Sequence, residues 1–168
     1  MIGRQSLAVR SGLGEGAVRT VIKKLREDGY AGTTASGCYL TAAGKRVYRS
    51  IQKRFSPIVS LEGSKLTVGD SQVGMAVRGA ARNLKAGLEQ RDAAVKVGAT
   101  GASTYVMKSG KFAIPGGSSD CERDFPSRAW PLLRVKLSPK NGDTVTLCGA
   151  RDETTAMLGA LSAALTLV

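Results

Sequence analysis

Residues 4–29 decide the reading of this chain: Arg4-Gln5-Ser6-Leu7-Ala8-Val9-Arg10-Ser11-Gly12-Leu13-Gly14-Glu15-Gly16-Ala17-Val18-Arg19-Thr20-Val21-Ile22-Lys23-Lys24-Leu25-Arg26-Glu27-Asp28-Gly29. They spell a short helix carrying Leu7 and Ala8, a break at Gly12-Leu13-Gly14, and a second helix stopped at Gly29. This is a helix-turn-helix pattern, in which one helix crosses a DNA backbone while the next enters the major groove. In the second helix Val18, Val21, Ile22 and Leu25 recur at helical spacing and are expected to face a core. That leaves Glu15, Arg19, Thr20, Lys23, Lys24 and Arg26 toward solvent or a partner.

Downstream, Tyr30 to Thr34 and Cys38 to Thr41 are short β-prone runs joined at Ser36-Gly37, a hairpin placed where a wing follows a recognition helix. Thr41 is positioned to cap a helix over Ala42 to Phe55, with Val47, Tyr48, Ile51 and Phe55 as its apolar stripe. The order helix, turn, helix, hairpin, helix, with Leu25-Arg26-Glu27-Asp28-Gly29-Tyr30 entering the hairpin and Leu40-Thr41-Ala42-Ala43-Gly44-Lys45 leaving it, resembles the winged helix-turn-helix domains of prokaryotic transcription regulators over about residues 3–55. Such domains usually carry another helix before the motif, whereas Met1 falls almost on the motif itself. Either that helix is missing or another subunit is expected to cover the face formed by Leu7, Val18 and Ile22.

Past Pro57 the pattern changes. Val73 to Val77 reads as a buried strand, Leu88 to Val97 as a helix between Gly87 and Gly98, and Ser103 to Met107 with Phe112 to Ile114 as a hairpin turning at Ser109-Gly110. Cys121 to Leu137 is partly helical around Pro126 and Pro131, Thr144 to Cys148 is a strand, and Asp152 to Leu165 is a strongly apolar helix. Alternation of strands and helices predicts a small α/β sheet domain, so the whole is α+β: a winged helix over 1–56 and an α/β sensor or oligomerisation domain over 57–168. The segments Val77-Arg78-Gly79, Glu89-Gln90-Arg91-Asp92-Ala93-Ala94, Gly98-Ala99-Thr100-Gly101-Ala102 and Gly159 to Thr166 resemble the C-terminal domain of a family of archaeal winged-helix proteins without an assigned function. That resemblance implies a regulator architecture and carries over no catalytic residue or ligand.

Charge supports the same direction. The formal net charge is +12. Residues 1–56 hold eleven Lys/Arg against Glu15, Glu27 and Asp28, a net +8. A basic segment of this kind favours a polyanion, because cations that neutralise phosphates release condensed counterions. The chain has three cysteines, Cys38, Cys121 and Cys148, without CxxC spacing, and no histidine. Cys/His zinc sites, Ser-His-Asp triads and Cys-His dyads are thereby excluded, a disulfide scaffold is not expected, and neither a cofactor nor enzymatic activity is expected. The apolar tail Ala156 to Val168 is interrupted by Gly159, Ser162 and Thr166 and falls short of the ~20 residues a membrane helix needs, so a cytoplasmic protein with no membrane partner is expected.

By position in the motif, Gly16, Ala17, Arg19, Thr20 and Lys23 are expected nearest double-stranded DNA, with Arg19 fitted for a bidentate pair with a guanine. Lys24 and Arg26 are expected to meet phosphates or water, and Arg4, Gln5 and Ser6 to donate to a phosphate at the start of the first helix. The uncharged Ser36-Gly37 tip argues against minor-groove reading by the wing. In the second domain Arg78, Arg91 and Asp152 are candidates for a pocket holding a small anionic effector; the plainer alternative has Asp152 capping its helix and Arg91 paired with Glu89 or Asp92. Gly98-Ala99-Thr100-Gly101 and Pro115 to Ser119 lack phosphate-loop spacing and read as turns. The expectation is a sequence-specific DNA-binding transcription regulator acting as a homodimer. The alternative is an α/β binding or enzyme domain whose winged helix serves protein or RNA contacts.

Overall fold

The computed structural model describes residues 1–61 and 63–168, and the chain divides into two compact units, Met1–Gln52 and Lys53–Val168. The first unit contains α1 (Arg4–Ser11), α2 (Glu15–Glu27), the antiparallel pair β1 (Ala31–Thr34) and β2 (Gly37–Leu40), and most of α3 (Ala42–Arg54). Ala35-Ser36 is the two-residue hairpin loop. Gly37 follows it at φ 129°, and a Cβ there would fall 2.7 Å from the carbonyl oxygen of Ile2. Only glycine meets both conditions, and the close approach lets Ile2 and Cys38 exchange both backbone hydrogen bonds, at 3.1 and 2.9 Å. The Thr41 hydroxyl accepts from the N–H of Gly44 and donates to the carbonyl of Gly29, capping α3 while tying it to the end of α2.

Ala8, Val18, Ile22 and Cys38 form this unit's core, with Leu7 packed against them. Two expectations are corrected here. Val21 is 49% exposed and Leu25 only partly covered, because the core lies to one side of α2 rather than beneath its whole apolar stripe. Val18 and Ile22 are buried without a further helix or subunit, since the hairpin returns Cys38 onto them, a contact that local periodicity does not reveal. On α3 only Gly44 is buried, and Val47, Tyr48 and Ile51 are exposed.

The boundary expected after residue 56 falls after Gln52. Arg54, Phe55 and Ser56 belong with the second unit because they run along the edge of one of its strands. The Arg54 carbonyl accepts from Arg78 N–H, Phe55 bridges Val77, and the Ser56 N–H donates to Ala76 while its hydroxyl accepts from Ala76 N–H.

The second unit holds β3 (Val59–Ser60), β4 (Ser71–Val77), α4 (Leu88–Lys96), β5 (Gly101–Lys108), β6 (Lys111–Ala113), α5 (Cys121–Asp124), α6 (Ala129–Leu137), β7 (Thr144–Ala150) and α7 (Glu153–Leu165). Its five strands lie in the order β3-β4-β7-β5-β6, every neighbouring pair antiparallel. The last strand, buried at all seven residues, is inserted between β4 and β5. Those two are each antiparallel to β7 and hence parallel to one another, with α4 as their crossover. The domain is therefore α+β with an antiparallel sheet, its helices packed on the sheet as the alternation of strands and helices along the chain led one to expect.

Helices cover both faces of the sheet. On one, Val73, Met75, Val77, Cys148 and Ala150 pack against Ala94 of α4 and the small-residue face of α7, Ala156, Ala160, Ala163 and Ala164. At Gly159 a Cβ would lie 2.5 Å from Cys148 Sγ and 2.8 Å from Ala99 Cβ, so its absence sets how closely α7 approaches the sheet. On the other face Val145 and Leu147 pack with Leu133, Leu137, Phe112, Tyr105 and Trp130. Trp130 donates its indole N–H to the Phe125 carbonyl at 2.8 Å. Pro131 is accommodated in the first turn of α6, where its missing N–H costs nothing. Among the described residues no helix is long and apolar enough to cross a membrane.

Candidate nucleic-acid interface

A groove of about 770 Å³ opens in the first unit between the start of α1, one face of α2 and the β1–β2 hairpin. Arg19, Lys23 and Arg26 are spaced i, i+4, i+7 and share the face of α2 that lines it, beside Glu15 and Ile22. Gly3, Arg4, Gln5 and Ser6 line a second side, and the hairpin residues from Thr33 to Cys38 a third. Four cations thus stand against the single carboxylate of Glu15, which sits in the first turn of α2 where the helix dipole favours it. Gly3 caps α1 without a side-chain hydrogen bond, and the first helical bond is made by Leu7 N–H, so the N–H groups of Arg4, Gln5 and Ser6 have no carbonyl partner within the helix. They add oriented donors to the same end of the groove.

Of the ten residues expected to meet DNA, the groove gathers Arg4, Gln5, Ser6, Arg19, Lys23 and Arg26. Gly16, Ala17, Thr20 and Lys24 are exposed on α2 but lie outside its lining. The Thr20 hydroxyl is turned back onto the Gly16 carbonyl at 3.0 Å. Lys23 lies 3.9 Å from Glu27, an exposed pair of little energetic weight that leaves its ammonium free to move. The hairpin contribution, Thr33, Thr34, Ala35 and Ser36, is legible in the sequence only as a short polar turn. It carries no charge, and its position depends on the pairing of Ile2 with Cys38.

The pocket expected from Arg78, Arg91 and Asp152 does not form, and the reason is register. Arg78 follows Val77, which pairs with Thr144 at one end of the β4–β7 ladder, whereas Asp152 follows Ala150, which pairs with Ser71 at the other. Six residues of strand separate those ends by about 20 Å. Each candidate is instead engaged locally. Arg78 donates to Asp143 Oδ2 at 2.9 Å and to the carbonyls of Leu137 and Ser138. The other Asp143 carboxylate contacts come from the backbone N–H groups of Gly79 and Lys140. Burial alone would raise the Asp143 carboxyl, but these two N–H bonds and the Arg78 guanidinium outweigh it and hold the group below the ordinary carboxylate value. Arg91 pairs with Asp92 at the surface, and Asp152 caps α7 through the N–H and hydroxyl of Thr155, which lowers its carboxyl likewise. Among the described residues no three His, Cys, Asp or Glu side chains gather to hold a metal ion.

Comparison with known proteins places the second unit in a family. Residues 68–167 match the family model described as Domain of unknown function (DUF4443), and the chain belongs to that family. The solved structure of hypothetical protein PH0730 from Pyrococcus horikoshii OT3 is similar, with a TM-score of 0.75 and 25% sequence identity over 99% of this chain and 84% of that one. No curated protein matches.

Proposed function

We propose that the chain is a sequence-specific DNA-binding protein of the winged-helix type, a transcription regulator, in which α2 enters the major groove and the β1–β2 hairpin lies beside it. The observation that carries this reading is the groove itself: four cations, three of them on one face of α2, flanked by the free N–H groups of α1 and the hairpin tip. Phosphate is the chemistry such an array binds, and a helix face between two phosphate-contacting elements is the part that reads bases. Gly16 supports a close approach, because a Cβ there would meet nothing within 4 Å and its small size is unexplained by internal packing. Among the described residues no aromatic side chain lines the groove, whereas single-stranded nucleic acid is usually held by stacking on aromatic rings. Duplex DNA is therefore the favoured partner.

The test is selection of bound sequences from randomised duplex DNA by the full chain, followed by titration of the enriched site across a range of salt concentration. Enrichment of a defined motif, with affinity falling as salt rises, is the expected result. Binding that is equal for all sequences, or unaffected by salt, would overturn the proposal.

A further inference from the structure

The outer face of α7 is apolar and carries no charged residue after Glu153, the first residue of the helix. Met157, Leu161 and Leu165 follow one another at i, i+4, i+8 along its exposed side, with Leu158 and Val168 adjacent, and these five are between 39% and 57% exposed. From Thr154 to Val168 the sequence contains no charged residue. The opposite side of the same helix is its small-residue contact with the sheet, so the leucines are not needed for the unit's own core. Beside α7 runs α4, which packs on it and adds Leu88 and Val95, both about half exposed.

We propose that this α7–α4 face is the homodimer interface of the protein, occupied by α7 and α4 of a second copy. Charge singles out that occupant. A two-fold interface sets a patch against itself, so the patch has to be uncharged or carry both signs in balance. In a chain of net +12 like-charged faces repel their own copies, but α7 has no charged residue after Glu153 at its start, and α4 carries Glu89 and Asp92 against Arg91 and Lys96. Area agrees. Seven apolar side chains about half open expose on the order of 500 Å² per chain, near the upper limit of what monomers leave in water. Together with the α4 rim, pairing buries roughly 1,200 Å² over both chains, the lower bound of a stable interface. Antiparallel packing of two α7 helices places the two-fold axis near Leu161, the middle of the seam.

This inference does not depend on DNA binding, and its test contains none. Light scattering on the full chain at tens of micromolar is expected to give a dimer, twice the 17.5 kDa of the chain, and Leu161→Glu to give the monomer with unchanged circular dichroism and melting temperature. Leu161→Cys provides a second measurement that tolerates a failed fold of the first variant. Cys38, Cys121 and Cys148 are all buried, so mild oxidation is expected to cross-link the new thiol across the axis and trap a covalent dimer. A wild-type monomer at that concentration overturns the proposal. So does a dimer that survives Leu161→Glu while Leu161→Cys fails to cross-link, which would move the interface to the exposed Val47, Tyr48 and Ile51 of α3.

Discussion

Asp143→Ala tests whether Arg78 serves the fold or a ligand. The Asp143 side chain is 8% exposed, and its carboxylate receives three donors: Gly79 N–H at 2.8 Å, Lys140 N–H at 2.9 Å and Arg78 Nη1 at 2.9 Å. Removing it leaves two backbone N–H groups and one guanidinium to find other partners. Breaking a buried charge pair by deleting one member costs about 3–5 kcal/mol. Arg78 is a third exposed and keeps the Leu137 and Ser138 carbonyls, which argues for the lower half, about 3–4 kcal/mol. Arg78→Ala should cost only about 1–2 kcal/mol, since Asp143 retains both N–H donors and water reaches the vacated site. The chain's one tryptophan, Trp130, lies in the core on one face of the same unit's sheet, so urea unfolding followed by its fluorescence reads the difference directly. Sign and pH follow from linkage. The folded carboxyl is held below its unfolded value, so its contribution is fully present above about pH 4 and is lost as pH falls through the folded value. The gap between wild type and Asp143→Ala should therefore narrow on acidification. An Asp143→Ala cost below ~1 kcal/mol, or an Arg78→Ala cost equal to or above it, would refute the bracket and reopen a ligand role for Arg78.

In the groove, Arg19→Ala should weaken binding to the selected duplex by roughly 1–3 kcal/mol and relax preference at one base pair per half-site, whereas Lys24→Ala, outside the lining, should weaken all sequences alike and flatten the salt slope; competition titrations against scrambled duplexes separate the two, and equal effects would count against the assignment of α2 as the reading helix. Gly159→Val should destabilise the second unit by about 1–3 kcal/mol, because its side chain has to enter space already filled by Cys148 and Ala99, and a denaturation midpoint equal to wild type would contradict the close α7 contact. Burial pushes the Cys148 thiol up to about 11 and raises that of Cys121, so a thiol reagent near pH 8 should modify these two only at the rate of unfolding and all three cysteines rapidly in denaturant.

Local signals carried a large part of this molecule. Glycines and the Thr41 cap marked where helices begin and end, the Ser109-Gly110 turn marked its hairpin, and the excess of Lys and Arg before residue 57 pointed to the first unit as the place for a polyanion. These are properties of neighbours within one or two turns of chain, which is the range over which backbone conformation and helix periodicity act. Six of the ten residues expected at a DNA surface gather in one groove for the same reason: Arg19, Lys23 and Arg26 share a face through helical spacing alone, and Arg4 to Ser6 are one helix start.

What tertiary structure decided is who meets whom across long separations. The insertion of β7 between β4 and β5 put Arg78 and Asp152 at opposite ends of a ladder and joined Arg78 to Asp143, 65 residues away. The return of Cys38 onto Val18 and Ile22 buried a face that the sequence left open, and the sideways placement of that core left Val21 in water. Strand order and register depend on the summed burial of a whole sheet, and the sequence encodes the apolar positions that contribute to it without encoding which strand each one will face.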